Sequence, residues 1–278
     1  MTVDVRLFQV GHCRNSAWFV ESGPLGKQIH LPAMVAIIRH PESGLILFDT
    51  GYGKPLVEAT SLPARLYRML LPFSWKDQES VPYHLWSLGL SAESIQTIFL
   101  SHFHPDHIGS LKELPAVPVL HSQAGLTTLA KYTPRQRAAA AFLPELLPDS
   151  FPERARAIES LPSVTLDDSW RPFQDAYDVT GDGSLLAIAL PGHAVGQYGL
   201  LCRLAHGRWV FLIADAAWTL RNFEANGLPG WPAGALIGDS RAYRATLEKL
   251  RELRRRRPEV PLIPSHCQES IAAFEHGL

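Results

Sequence analysis

The stretch 101–110 reads SHFHPDHIGS and places His102, His104, Asp106 and His107 within six positions. Neutral imidazole and carboxylate are the donors that Zn²⁺ and related divalent ions accept. His102 and His104 stand two apart, so in extended backbone they point to the same side. Asp106 and His107 follow Pro105, where the chain must turn, and so can point elsewhere. The spacing therefore suits two adjacent metal ions better than one, with a pair of side chains for each. Gly109, just beyond, permits a tight turn or close helix packing.

Two ions need more than four ligands, and further donors recur in similar contexts. His193 follows the apolar run LLAIAL and Pro191-Gly192, Asp215 ends WVFLIAD, and His266 follows LIPS. Asp49 ends LILFD and precedes Thr50-Gly51. A polar residue that terminates a buried strand is well placed for a site at one sheet edge.

Such donors need strands that stop together. Strands are expected over 34–39, 45–49, 95–101, 117–121, 185–190, 198–203, 209–215 and 262–265. The first two flank a short polar loop with Gly44 and read as a hairpin, and Ala205-His206-Gly207 reads as a second hairpin turn. A helix is expected over 82–88, ending at Gly89. Another starts at a cap on Asp239 or Ser240 and runs to about Arg257, with Tyr243, Leu247, Leu250 and Leu253 on one face and Pro258 as its stop. Residues 124–160 read as helical, in particular 138–143 and 152–161, broken by prolines. Strand groups in both halves with helices between them point to a layered α/β fold. Two insertions, 54–80 and 124–165, are candidate caps over a site. The first contains the apolar run SLPARLYRMLLPFSW.

The chain has 278 residues, 46% of them hydrophobic and 19% charged, with a formal net charge of −1. That length allows a sizeable core without staples, and the charge supplies no global positive field for nucleic acid or an anionic membrane. Cys13, Cys202 and Cys267 lack the spacing of a disulfide framework or a thiolate zinc site. With no secretory pattern at the N-terminus and no apolar run of about 20 residues, the expected location is the cytoplasm. Arg254 to Arg257 end a helix, where cations suit the dipole. His30, His40, His84, His206 and His276 have no metal-like context. His12 and His121 flank strands and are read as non-ligands, and Cys267 as a small buried side chain.

The ordered set FDTGYG (48–53), SHFHPDH (101–107), PGH (191–193), AD (214–215) and SH (265–266) resembles the metallo-β-lactamase superfamily over nearly the whole chain. Within it, the layout GHC (11–13), IHLPAMVAIIRH, LILFDTGYG and DAAWTLRNFE (215–224) is similar to the N-acyl homoserine lactonases. The resemblance implies one domain over 1–278, a four-layer αββα sandwich with helical cap insertions and the metals at one edge of two sheets. It implies that His102, His104 and His193 hold one ion, that Asp106, His107 and His266 hold the other, and that Asp215 bridges both. Asp49 would fix a histidine tautomer from behind. The lactonases carry a tyrosine three residues after the bridging Asp. Here that position is Trp218, whose indole donates in a different place. Trp218 is taken as a wall of the substrate pocket, and Tyr52 and Tyr198 as possible replacements for the missing phenol.

A water held between two such ions loses its proton near neutral pH and becomes a nucleophile. Asp106 beside it can carry that proton to the leaving group. The expected activity is a dinuclear-metal hydrolase, zinc first with manganese, iron or cobalt as alternatives, opening N-acyl homoserine lactones in quorum quenching. The partners expected are a small ester or lactone, with no nucleic acid and no membrane, on a monomer or homodimer. The alternative is a glyoxalase II-like thioesterase or another small-ester hydrolase, and basic residues around the pocket would favour the anionic thioester. A regulatory binder that merely retains metals would be signalled by a missing ligand, and none is missing.

Overall fold

The computed structural model describes residues 1–224, 228–230 and 237–276. Among the described residues thirteen strands form two sheets. The first contains β1 (Asp4–Ser16), β2 (Gln28–His40), β3 (Gly44–Phe48), β4 (Phe73–Ser74), β5 (Ile95–Phe99), β6 (Val119–His121) and β7 (Ala155–Ala157), in the order β4-β1-β2-β3-β5-β6-β7. The second contains β8 (Ser163–Thr165), β9 (Asp175–Asp178), β10 (Leu185–Ala189), β11 (Tyr198–Arg203), β12 (Trp209–Ala214) and β13 (Leu262–Pro264), in the order β13-β12-β11-β10-β9-β8. The expected hairpins pair antiparallel, β2 with β3 and β11 with β12. Parallel pairs extend each sheet, β3 with β5, β5 with β6 and β12 with β13.

The central strands are apolar on both faces, and alternation separates the layers. In β2, Met34, Ala36 and Ile38 enter the core between the sheets, while Val35 and Ile37 enter a core on the outer face. In β12, Val210, Leu212 and Ala214 face the other sheet, while Phe211 and Ile213 face outward. Sequences buried on both sides read as continuous apolar runs, which is why these strands are legible.

Among the described residues the α-helices begin with α1 (Ala17–Glu21), α2 (Lys54–Glu58), α3 (Leu62–Leu70) and α4 (Val81–Ser87). They continue with α5 (Pro105–Ile108), α6 (Gln123–Lys131), α7 (Pro134–Ala139), α8 (Phe151–Arg154), α9 (Ser240–Arg256) and α10 (Gln268–His276). Leu56, Leu85, Ile108 and Leu129 from these helices cover the first sheet. On the second sheet α9 lays down Tyr243, Leu247, Leu250 and Leu253, as its periodicity predicts. Asp239 is its cap, accepting from the backbone N–H of Arg241 and Ala242 at 2.9 and 3.0 Å. Helices outside two stacked sheets give the four-layer αββα arrangement.

The structure corrects the reading of 124–160. Helix α7 ends at Ala139, and Ala141 takes a left-handed φ of 46° that turns Phe142 and Leu143 into the core. Of 152–161, only the part up to Arg154 is α-helical, and a single 3₁₀ turn follows at Ile158–Ser160. The Arg154 guanidinium donates to the carbonyls of Val117 and Pro115, and the next residues add β7 to the edge of the first sheet. Strand β1 escaped the pattern reading because its alternation breaks at a bulge between Gln9 and His12. Among the described residues no helix is long and apolar enough to cross a membrane.

Candidate metal centre

Five strand ends converge at one edge of the two sheets. Asp49 follows β3, and the segment from His102 to His107 follows β5. His193, Asp215 and His266 follow β10, β12 and β13. Pro105 opens α5 at its first position, where its fixed φ suits a helix start. The chain therefore turns between His104 and Asp106, as the spacing requires. Gly109 has an ordinary φ, but a Cβ there would meet the Gly51 carbonyl at 2.6 Å, so close packing is what selects glycine. Gly192 is bound in both ways: its φ is +131°, and a Cβ would sit 2.1 Å from the backbone nitrogen of Tyr243 on α9. This contact seats His193 against the layer behind it.

Two clusters of donor atoms result. His102, His104, His193 and Asp215 form one, and Asp106, His107 and His266 form the other, each with its donor atoms within 4.8 Å of one another. Asp215 touches both. Its Oδ2 is 3.3 Å from His193 Nε2 and 3.0 Å from His266 Nε2, and its Oδ1 is 3.3 Å from His107 Nε2. His104 Nδ1 and His193 Nε2 lie 2.9 Å apart, and Asp106 Oδ2 is 3.5 Å from His266 Nε2. The structure thus brings all seven candidate donors together, in two adjacent groups.

The far side of three of the imidazoles is held by the protein. His107 Nδ1 donates to Asp49 Oδ2 at 2.7 Å, and His266 Nδ1 donates to the Pro32 carbonyl at 2.6 Å. Asp49 also accepts from Ser101 N–H and from Ser101 Oγ, each at 2.7 Å. Since the Ser101 hydroxyl spends its proton on Asp49, its oxygen accepts from His102 Nδ1 at 2.9 Å. That leaves the Nε2 lone pairs of His102, His107 and His266 facing inward. Ser101 and the Pro32 carbonyl had no sequence signal beyond adjacency to the motif and to a strand.

The donor set fits divalent cations. His102 Nε2, His107 Nε2 and Asp215 Oδ1 face the clusters and are buried without a hydrogen-bond partner, a costly state for polar atoms unless an ion takes their lone pairs. Burial lowers the pKa of His102, His104 and His193, and so keeps them in the neutral form that ligates. For His107, burial is overridden by the charges of Asp215 and Asp49, which raise its pKa. For His266 it is overridden by Asp215 and Asp106, with the same result. Among the described residues, the carboxylates Asp49, Asp106 and Asp215 pair only with histidines. This pocket of negative charge calls for a cation.

Above the donors lies a cavity of about 480 Å³ whose floor includes His104, Asp106, His193, Asp215 and His266. Its walls include Phe19, Val20, Leu31, Leu66, Leu70 and Leu143, together with Trp218 and Tyr52. The Trp218 ring meets His193 edge-on at 5.6 Å. Tyr198 does not reach the cavity. It packs in the core between the sheets against Tyr177, because the alternation of β11 points Tyr198, Leu200 and Cys202 the same way. Cys13 and Tyr67, which sequence reasoning did not single out, line the cavity instead. Burial pushes the Cys13 thiol up to about 12, so it stays protonated. His12 packs on His30 outside this cavity, and His121 donates to the Ser122 carbonyl, so neither joins the donor clusters.

Comparison with known proteins gives the same picture. The family model of the metallo-beta-lactamase superfamily matches residues 30–266. The N-acyl homoserine lactonase AttM of Rhizobium radiobacter is 27% identical over 215 residues, covering 76% of this chain and 74% of the relative. The solved structure of an N-acyl homoserine lactone hydrolase, with the product N-hexanoyl-L-homoserine at its catalytic metal center, superposes with a TM-score of 0.73. It is 18% identical and the match covers 98% of this chain and 97% of that one. AidC, a dizinc quorum-quenching lactonase, superposes with a TM-score of 0.66 at 17% identity, over 96% of this chain and 88% of its own. Strand ends that gather five histidines and two carboxylates at one sheet edge, in a chain matched by the family model over most of its length, make this protein a hydrolase belonging to the metallo-beta-lactamase superfamily.

Proposed function

We propose that this hydrolase opens the lactone ring of N-acyl homoserine lactones and so acts in quorum quenching. The observation that carries the reading is the cavity wall. It is apolar over most of its extent, and no lysine or arginine is among its described lining residues. An anionic glutathione thioester would find no counter-charge there, whereas a neutral lactone with an acyl tail matches the wall. The named relatives point the same way.

His102, His104 and His193 would hold one ion, Asp106, His107 and His266 the other, and Asp215 would bridge them. Zinc is the first choice for this donor set. Two ions so held would supply an activated water and polarise the ester carbonyl. The chain's own part is orientation and proton handling. Asp49 and the Pro32 carbonyl fix the tautomers of His107 and His266. Asp106 stands at the cavity floor beside His266 and is placed to carry a proton to the departing alkoxide. Trp218 and Tyr52 wall the substrate in, and the segments 54–80 and 124–165 act as caps on a single domain.

The metal-loaded protein is expected to release acid in a pH-stat when given N-acyl homoserine lactones of four to twelve carbons, and to leave a glutathione thioester largely intact. Failure to hydrolyse any acyl homoserine lactone would end the substrate assignment, and preference for the thioester would replace it.

A further inference from the structure

Helix α3 is seated against the expectation for an amphipathic helix. Leu62, Leu66, Met69 and Leu70 form an apolar stripe at helical spacing, and this stripe faces outward at 68, 41, 67 and 68% exposure. The buried positions are Ala64 at 0% and Tyr67 at 8%. Large apolar side chains left in water forgo the gain of burial, so burial of the stripe does not decide how α3 sits. Its fixed points are polar. Ser61 caps its start by accepting from the Ala64 N–H, and Arg68 donates to the carbonyls of Leu56 and Ala59 at 2.8 and 2.7 Å. The third fixed point is the inward phenol of Tyr67.

That phenol enters the cavity that Asp106 and Tyr52 also line, and it interacts with both. Tyr52 is itself immobilised, its ring stacked on Phe73 with centroids 4.3 Å apart. A phenol is a neutral donor near neutral pH. An ionised carboxylate only accepts, so the series runs from Tyr52 to Tyr67 to Asp106. Asp106 needs such an anchor. Asp49 is held by Ser101 twice and by His107, whereas the close partner of Asp106 is His266 at 3.5 Å.

We propose that Tyr67 is a positioning residue for Asp106: its hydroxyl, oriented by Tyr52, donates to the Asp106 carboxylate and fixes it over the cluster formed with His107 and His266. The cap helix, rather than the motif that bears Asp106, then sets the direction of that carboxylate. The inference rests on the ligand reading given above but not on the identity of the substrate.

Tyr67→Phe removes the donor and keeps the ring. Partners that orient metal ligands typically change metal affinity or activity by about 10–100-fold. In a zinc titration against a competing chelator, Tyr67→Phe should bind the weaker of two zinc equivalents about tenfold less tightly than wild type. Its kcat should fall by a similar factor with KM within about twofold. Tyr52→Phe should move both quantities in the same direction by less, and it carries the test if Tyr67→Phe does not fold. Wild-type affinity for both zinc equivalents in a folded variant would overturn the proposal, even if kcat fell, because the phenol would then be acting on substrate. The titration uses no substrate, so an inactive wild type would sink the lactonase reading alone. A wild type that binds only one equivalent would sink the ligand reading.

Discussion

At the scale of single residues, Asp49 shows how much is decided one atom behind the ligands. It is fully buried, adopts a left-handed φ of 60°, and gathers three donors from Ser101 and His107. Exchange of its charge for an amide in Asp49→Asn keeps the shape but can present N–H₂ to His107 Nδ1, which favours the wrong tautomer for ligation. The expected result is a loss of about 10–100-fold in metal affinity or kcat/KM, read by chelator competition and initial rates, and wild-type values would contradict this account. Trp218 also resolves at this scale. It stands at the cavity wall on His193, where the indole contributes surface, and Tyr52 and Tyr67 bring phenols to the cavity lining from other segments.

At the scale of elements, the helices around the cavity do different work. Helix α9 is held by a conventional buried stripe, whereas α3 exposes its stripe and lends only one edge of it, Leu66 and Leu70, to the cavity. A tail long enough to leave the cavity would lie on that edge. Burial of one methylene is worth about 0.8 kcal/mol, so loss of two or so methylene contacts should cost roughly tenfold. Leu70→Gln is therefore expected to lower kcat/KM for a twelve-carbon acyl homoserine lactone about tenfold relative to a four-carbon one. Equal effects on both chain lengths would remove the tail from α3.

At the scale of the whole molecule, the metal centre couples stability to pH. Burial lowers the pKa of His102, His104 and His193 below the ordinary 6.5. The unfolded chain then binds more protons below pH 6.5, so these three contribute stability above that pH and lose it as the pH falls below. In the metal-free protein His107 and His266 shift upward; their contribution is full below pH 6.5 and is lost as the pH rises through the raised values. Metal ions held by these five imidazoles would require them unprotonated, so their affinity would grow with pH. The Tm difference between zinc-loaded and chelated protein should widen from pH 5 to pH 8 in calorimetry. A constant difference would mean that these imidazoles do not hold the ions.

The donors themselves were legible in the chain, because only a few residue types bind divalent ions and a ligand at a buried strand end has a recognisable apolar run before it. His102, His104, Asp106, His107, His193, Asp215 and His266 could therefore be singled out as candidate donors, and the structure brings them to one sheet edge. The long central strands and α9 were legible for a similar reason, since their burial repeats with a fixed period. Short edge strands such as β7 and β8 were not, because three residues carry no period and pairing with a neighbour decides them. Tyr198 was misplaced because proximity in the chain says nothing about which face of β11 a side chain takes. Tyr67 was hidden in an apolar segment that reads as core or cap. Only the packing of α3, with its leucines outward and its phenol inward, brings that hydroxyl to Asp106, since contacts between distant segments depend on how whole elements seat against each other.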